Sequence, residues 1–360
     1  MEQNKIKKSK MENKPKDPGE WLGNDLKGWS QSIRNGFARA FILFALHETG
    51  VFGLFRKGKP MTSSQIAKKL KLHPQMLDGI LNFLYHADKI LIKKDNKFSL
   101  SKEGKDWLFT DTVLTMSFGL VGAASCLYYE LVPCLRGEKK YGVDFVRKGD
   151  LVAKGSYYTS ARNYSWIIEE MKKLGVTVVA DLGCGSAKIL TDFCKLDPNI
   201  QGIGLDISAG ALKDARQNIE KEKLSKRIRL MKADLAKPHT YRDKLREVEV
   251  FNAIMVMHDF LKKGDKPLIR LLRDFKKNFP GRYFFIGELC PLSDKEYQGL
   301  PYQDRIHMLC NQYITHQITS GKGLLRTKRQ WISLFEKAGV EIVKIKDDFP
   351  FPLIEYVLRF

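Results

Sequence analysis

The sequence predicts an α/β protein: a largely parallel β-sheet wrapped by helices, preceded by a smaller, mostly helical domain. Three observations carry this. The stretch from Val176 to Ile189 is an apolar, β-branched run that closes on Asp181 and on the near-adjacent Gly183 and Gly185. Two further apolar runs, Gly202 to Leu205 and Ile228 to Ala233, each stop at an acid, Asp206 and Asp234. At the end of the chain, Val340 to Ile345 and Leu353 to Leu358 are joined by too short a connection for a crossover helix, so they must pair antiparallel.

The first stretch has a specific mechanical reading. Val176 to Leu182 suits a strand covered on both faces of a parallel sheet. The glycines then remove Cβ atoms where the backbone must turn tightly and where a flat ligand must come close. Asp181, at the strand's carboxyl end, is expected to face the crevice in which open α/β sheets bind ligands. Asp206 follows about 20 to 25 residues on, the distance at which an acid takes the hydroxyls of a bound ribose. A lone Gly-x-Gly is commonly an ordinary turn. Three strand ends carrying acids at one sheet edge describe a nucleoside-shaped pocket instead.

On these residues the chain resembles class I S-adenosylmethionine-dependent methyltransferases, whose first motif reads acid-x-Gly-x-Gly and whose later strands end in acids. The resemblance covers roughly residues 170 to 360. It implies a Rossmann-like seven-stranded sheet and S-adenosylmethionine as cofactor, held by Asp181, Gly183, Gly185, Asp206, Ile207, Asp234 and Leu235. One departure matters. Lys188 stands where the dinucleotide fingerprint wants a third glycine, with Ala187 beside it, which disfavours a pyrophosphate ligand.

A chain of 360 residues can bury a large core and is expected to hold two domains. Its 43% hydrophobic and 29% charged residues are those of a soluble globular protein. The net charge of +21 invites a nucleic-acid or membrane partner, but the lysines are spread evenly, which favours simple solubility. Six cysteines without a Cys-x-x-Cys pair indicate neither a zinc site nor a disulfide framework. With a polar, lysine-rich Met1 to Glu20 and no signal-peptide pattern, the expected location is cytoplasmic.

Four segments are expected: a loose basic tail over 1–20, a winged-helix dimerisation domain over 21–110, a helical linker or lid over 111–165, and the cofactor domain over 166–360. Phe37 to His47 is apolar nearly all round and wants burial on more than one side, so a second subunit is its expected partner. Thr62-Ser63-Ser64-Gln65 reads as a capping box, and Pro74 begins a helix with Leu77, Ile80, Leu81 and Leu84 at helical spacing. Ile90 to Ile92 and Phe98 to Leu100 flank a turn at Asp95-Asn96, completing a winged helix. The second helix presents Gln75, Asp78, Asn82 and His86, with little positive charge, so DNA binding is disfavoured. In small-molecule methyltransferases such a domain serves dimerisation and covers the substrate, which is what the resemblance implies here. Thr112 to Tyr129 is uncharged but rich in Thr, Ser and Gly, and is expected as a helix buried between domains or subunits, ended by Pro133 and Gly137. A further helix is expected from about Ser160 to Leu174, with Tyr157, Tyr158 and Tyr164 either lining an acceptor pocket or packing between domains.

Methyl transfer from a sulfonium needs position and often a base for the acceptor proton. His258 closes the fourth predicted strand beside the crevice, and imidazole suits a base near neutral pH. Glu288 ends the neighbouring strand and could hold its tautomer. The pair resembles the His-Asp-aromatic motif and later Glu of small-molecule O-methyltransferases, with Phe260 for their usual Trp. An alternative stays open. His258 and His316, with His307 as a competing ligand, could hold iron or another transition metal on which a 2-oxo acid is C-methylated. The segment Val152 to Ser156 also looks like C-methyltransferases of that kind. The favoured reading is O-methylation of a small molecule by a homodimer without nucleic-acid or membrane partners. A winged-helix regulator carrying a vestigial nucleotide domain is the non-enzymatic alternative.

Overall fold

A computed structural model of the chain describes residues 26–300, 314–315, 318–319, 325–347 and 353–360. The tail expected over 1–20 lies outside them. Seven strands form one sheet: β4 (Val178–Leu182), β5 (Gln201–Asp206), β6 (Ile228–Lys232), β7 (Val250–Ile254), β8 (Tyr283–Leu289), β9 (Glu341–Asp347) and β10 (Leu353–Arg359). Their order is β6-β5-β4-β7-β8-β10-β9. All neighbouring pairs are parallel except those of β10, which runs antiparallel to both β8 and β9. The expected terminal antiparallel pair is therefore present, with β10 inserted between β8 and β9.

Strand order reverses at β4, which pairs β5 on one side and β7 on the other. A crevice opens at the carboxyl end of such a switch point. Side-chain alternation sends Ala180 and Leu182 into one core and Val179 into another. The first core packs Phe251, Phe275, Trp331 and Tyr356 against one face of the sheet, and the second packs Leu190, Phe193 and Ile200 against the other. Every residue of β7 is buried, as the strands of a sheet covered on both faces are, and its run is apolar but for Asn252.

Before the sheet the chain forms helices Leu26–Glu48, Val51–Lys57, Ser63–Leu70 and Pro74–Ala87. The capping box forms as written: Thr62 Oγ1 accepts from the Gln65 amide, and Gln65 Oε1 accepts from the Thr62 amide. Strands β2 (Leu91–Lys94) and β3 (Lys97–Leu100) make the hairpin, with Asp95 and Asn96 both at positive φ, as a two-residue primed turn demands. A short β1 (Met61–Thr62), which the sequence does not announce, pairs with β3.

The stretch 111–165 departs from expectation. The uncharged run is divided into a helix over Asp111–Leu114, a π-helical segment over Thr115–Ala123 and a helix over Ser125–Tyr129. Pro133 falls inside a further short helix, Leu131–Leu135, instead of ending one. A helix spans Gly149–Ser160 and a second spans Tyr164–Lys173, where one beginning near Ser160 was expected. Gly149 and Gly155 lower local helix propensity, and tertiary packing overrides it. A Cβ on Gly155 would lie 2.5 Å from the Gly119 Cα, so the helix and the π-helical segment cross backbone to backbone. Among the described residues, no helix is long and apolar enough to cross a membrane.

Candidate active site

The loop after β4 holds three left-handed residues, Gly183, Gly185 and Ala187, before the helix Lys188–Leu196. The two glycines have different reasons to be glycine. A Cβ on Gly183 would meet the Val256 methyls at 3.0 and 3.2 Å, whereas one on Gly185 would meet nothing within 4 Å. Gly183 thus lets the loop seat against the turn after β7, and Gly185 borders open space. Cys184 is buried, its sulfur filling the place of a missing Gly204 Cβ, and burial pushes its thiol well up, which makes it a packing residue.

Asp206 turns toward this loop. Its Oδ2 accepts from the Gly185 amide at 3.0 Å and its Oδ1 from the Ser208 amide at 2.8 Å. Ile207, next in the chain, is an apolar side chain left 64% exposed. Asp234 lies two residues beyond the end of β6 and accepts from the Ala236 amide, while Leu235 packs against the core. Asp181 sits differently from the expected crevice-facing acid. It is 2% exposed within β4, one oxygen accepts from Asn252 Nδ2 at 2.7 Å, and the other has no hydrogen-bond partner. Burial pushes its carboxyl up to about 7, against the opposing Asn252 hydrogen bond.

His258 lies within a 3₁₀ turn, Met257–Leu261, beyond the end of β7, where the sequence suggested the strand's own terminus. Met255, at positive φ, breaks the strand early, and its amide donates to the Gly287 carbonyl. The turn aims the imidazole at Glu288. Its Nδ1 lies 2.8 Å from Glu288 Oε2, and the His258 amide donates to Oε1 at 3.1 Å. Glu288 is fully buried in β8. A carboxylate accepts only, so the proton sits on Nδ1 and Nε2 is the basic nitrogen. Burial pulls the imidazole's pKa down, but the charge and hydrogen bond of Glu288 outweigh it, and the net shift is upward.

His258 forms part of the wall of a cavity of about 240 Å³. Its ceiling comes from the π-helical segment and the helix Gly149–Ser160, with Thr115, Gly119, Leu120, Gly155 and Ser156. Its floor comes from Met255, His258, Leu289 and Thr315, and Arg147 closes one side. The three tyrosines are absent from this wall. Tyr157 donates to Asp192, Tyr158 stacks on Phe118, and Tyr164 pairs with Ser160 and packs edge-on to Phe193. Packing between layers is their role. Arg147, Thr115 and Thr315 were not singled out by the sequence. Arg147 sits in an irregular loop, and only the folded chain brings it to His258.

The second imidazole of the alternative metal pair, His316, lies outside the described residues, as does His307. Among the described residues, no three or more His, Cys, Asp or Glu side chains converge as a metal site.

Residues 175–339 match the family model described as a methyltransferase domain. A methyltransferase of Aspergillus campestris, ungE', is 22% identical over 275 residues, covering 75% of this chain and 78% of that protein. Human N-acetylserotonin methyltransferase, solved with S-adenosylmethionine, superposes with a TM-score of 0.65 at 17% identity, covering 94% of this chain and 99% of that one. The N,N-8-amino-8-demethyl-D-riboflavin dimethyltransferase RosA of Streptomyces davawensis gives a TM-score of 0.60 at 17% identity, covering 93% and 99%. These likenesses establish the fold. The matched domain makes residues 175–339 a methyltransferase domain and the protein an S-adenosylmethionine-dependent methyltransferase. The mitomycin 7-O-methyltransferase MmcR, with a TM-score of 0.61 at 15% identity over 95% of this chain and 99% of that one, names an oxygen acceptor and RosA a nitrogen one, so the fold leaves the acceptor atom to the residues of the site.

Proposed function

We propose that the protein O-methylates a small molecule, with His258 as general base and Glu288 as the residue that positions it. The observation that carries this is the His258–Glu288 pair at 2.8 Å in the wall of a partly closed cavity, in a turn whose Val256 packs against the cofactor loop. The cavity has the size for a small acceptor and none for a macromolecular chain.

The glycine loop fits the cofactor. Gly185 leaves open space at the switch point, Asp206 is held at the loop for ribose hydroxyls, and exposed Ile207 offers an apolar surface to a base. Asp234 and Leu235 follow on the adjoining strand end, and Asp181 is buried in the neighbouring strand with one oxygen lacking a hydrogen-bond partner. Bound there, S-adenosylmethionine supplies an electrophilic methyl whose departing sulfur needs no acid. His258 Nε2 takes the proton of the acceptor hydroxyl, and Glu288 stabilises the imidazolium that forms. The cavity walls hold the acceptor oxygen in line and exclude water.

The elements of residues 21–110 support a winged-helix reading, with 111–165 as the cover of the acceptor pocket and 166–360 as the cofactor domain. Exposed apolar side chains on the first helix support a homodimer. Unpaired thiols among the described cysteines support a reducing, cytoplasmic setting.

Titration of S-adenosylmethionine into the protein and its Gly185→Val variant tests the pocket; unchanged affinity would remove the assignment. His258→Ala is expected to lower kcat by about 10²- to 10⁴-fold while cofactor affinity holds. Stoichiometric iron in protein purified without chelator, lost in His258→Ala and in His316→Ala, would replace the general-base mechanism with metal-assisted C-methylation.

A further inference from the structure

We infer that the acceptor carries a carboxylate and that Arg147 is the residue that holds it. The inference rests on the acceptor cavity just described but not on the identity of the base.

Three observations converge on Arg147. Apart from His258, the charged side chains in the cavity wall among the described residues are Arg147 and Asp259. Asp259 is already matched, its carboxylate 2.7 Å from Lys262 Nζ on the exposed side of the turn. Arg147 has no carboxylate partner among the described residues. Three acids of the same segment are engaged elsewhere: Glu130 by Lys139, Glu138 by Arg136, and Asp144 by the Lys140 amide. Its Nε donates to the Tyr141 hydroxyl at 3.5 Å, and the guanidinium lies 5.9 Å from that ring's centre. Tyr141 thereby orients the fork without neutralising it.

Arg147 is half-buried in the wall of a partly closed cavity, where water meets only part of its charge and an anion completes the rest. Guanidinium geometry matches a carboxylate through two parallel N–H···O bonds. Leu120, Val152 and Leu289 line the same space and suit an apolar body between the two ends. The arrangement therefore selects a hydroxy acid, or the enol of an oxo acid, with its carboxylate at Arg147 and its oxygen nucleophile at His258.

The test is binding to the full-length protein loaded with S-adenosylhomocysteine. The probes are hydroxy and oxo carboxylates of about six to twelve heavy atoms, each paired with its own amide. Calorimetric titration is expected to give the acids a roughly 10- to 100-fold advantage, the scale of a charge-assisted pair. The advantage disappears in Arg147→Leu, survives in part in Arg147→Lys, and is retained in His258→Ala. Thermal melting and S-adenosylhomocysteine affinity of the variants establish that each is folded. Equal binding of acids and amides, an advantage that persists in Arg147→Leu, or no binding by any probe would overturn the assignment. If acids bind through Arg147 yet His258→Ala still transfers methyl, the general-base mechanism falls and the carboxylate site stands.

Discussion

At the residue scale the candidate chemistry comes down to one imidazole held by one carboxylate. Glu288 grips His258 twice, by ring and by backbone amide, so the ring cannot rotate away from the tautomer that leaves Nε2 basic. The raised imidazole pKa sets the sign of the pH dependence. A base must be neutral to act, so kcat/KM should fall as pH drops through a value above 6.5, the ordinary histidine pKa. In Glu288→Gln the carboxylate's contribution is gone and burial remains, so the acid limb should move to lower pH while the plateau rate declines. A pH–rate profile of the two proteins checks this, and an acid limb that stays put would detach Glu288 from the base. The linked stability has its own direction. Protonated His258 adds stability that is present below 6.5 and is lost as pH rises through the raised folded-state value. Both residues of this pair were legible in the sequence, because each lies just past or within a recognisable strand. Arg147 was not, since nothing in its local sequence separates it from the neighbouring surface cations.

At the element scale, the cavity exists because two segments cross without side chains between them. The crossing of Gly119 and Gly155 brings the π-helical segment down over the strand ends, and both glycines face the acceptor space. Gly155→Ala places a methyl 2.5 Å from the opposing Cα, too close for any rotamer change to relieve. The segments must part, at a cost of about 1–3 kcal/mol by analogy with overpacked cores. A lower melting temperature together with a raised acceptor KM is the expected outcome. If only the melting temperature changes, the crossing does not shape the pocket. Helical periodicity could not have foreseen this crossing. The stretch is apolar on every side, and its break into α and π turns follows from what packs over it.

At the scale of the whole molecule, burial is uneven. The two cores of the seven-stranded sheet are closed, yet Ile33, Phe37 and Phe41 of the first helix stay exposed, and the Phe37 and Phe41 rings meet in a tilted pair at 4.8 Å. Exposed apolar side chains grouped on one helix face mark an interaction surface. A second copy of this chain is the proposed occupant, and sedimentation at micromolar concentration should give a dimer. The double variant Phe37→Asp, Phe41→Asp should sediment as a monomer with its cofactor affinity intact. A monomeric wild-type profile would refute the dimer outright.

What the sequence determined by itself is the parallel sheet, the glycine corner and the acids at its strand ends. These are local patterns: strand burial, backbone dihedrals and spacing are written within a few residues of each other. Tertiary structure decided the rest. It drew Asp181 into the sheet against Asn252, left the tyrosines to packing, and set Arg147 and Thr315 from distant segments into one wall with His258. A pocket lined by residues more than a hundred positions apart leaves no periodic trace in the chain. Its shape is fixed only when the layers pack.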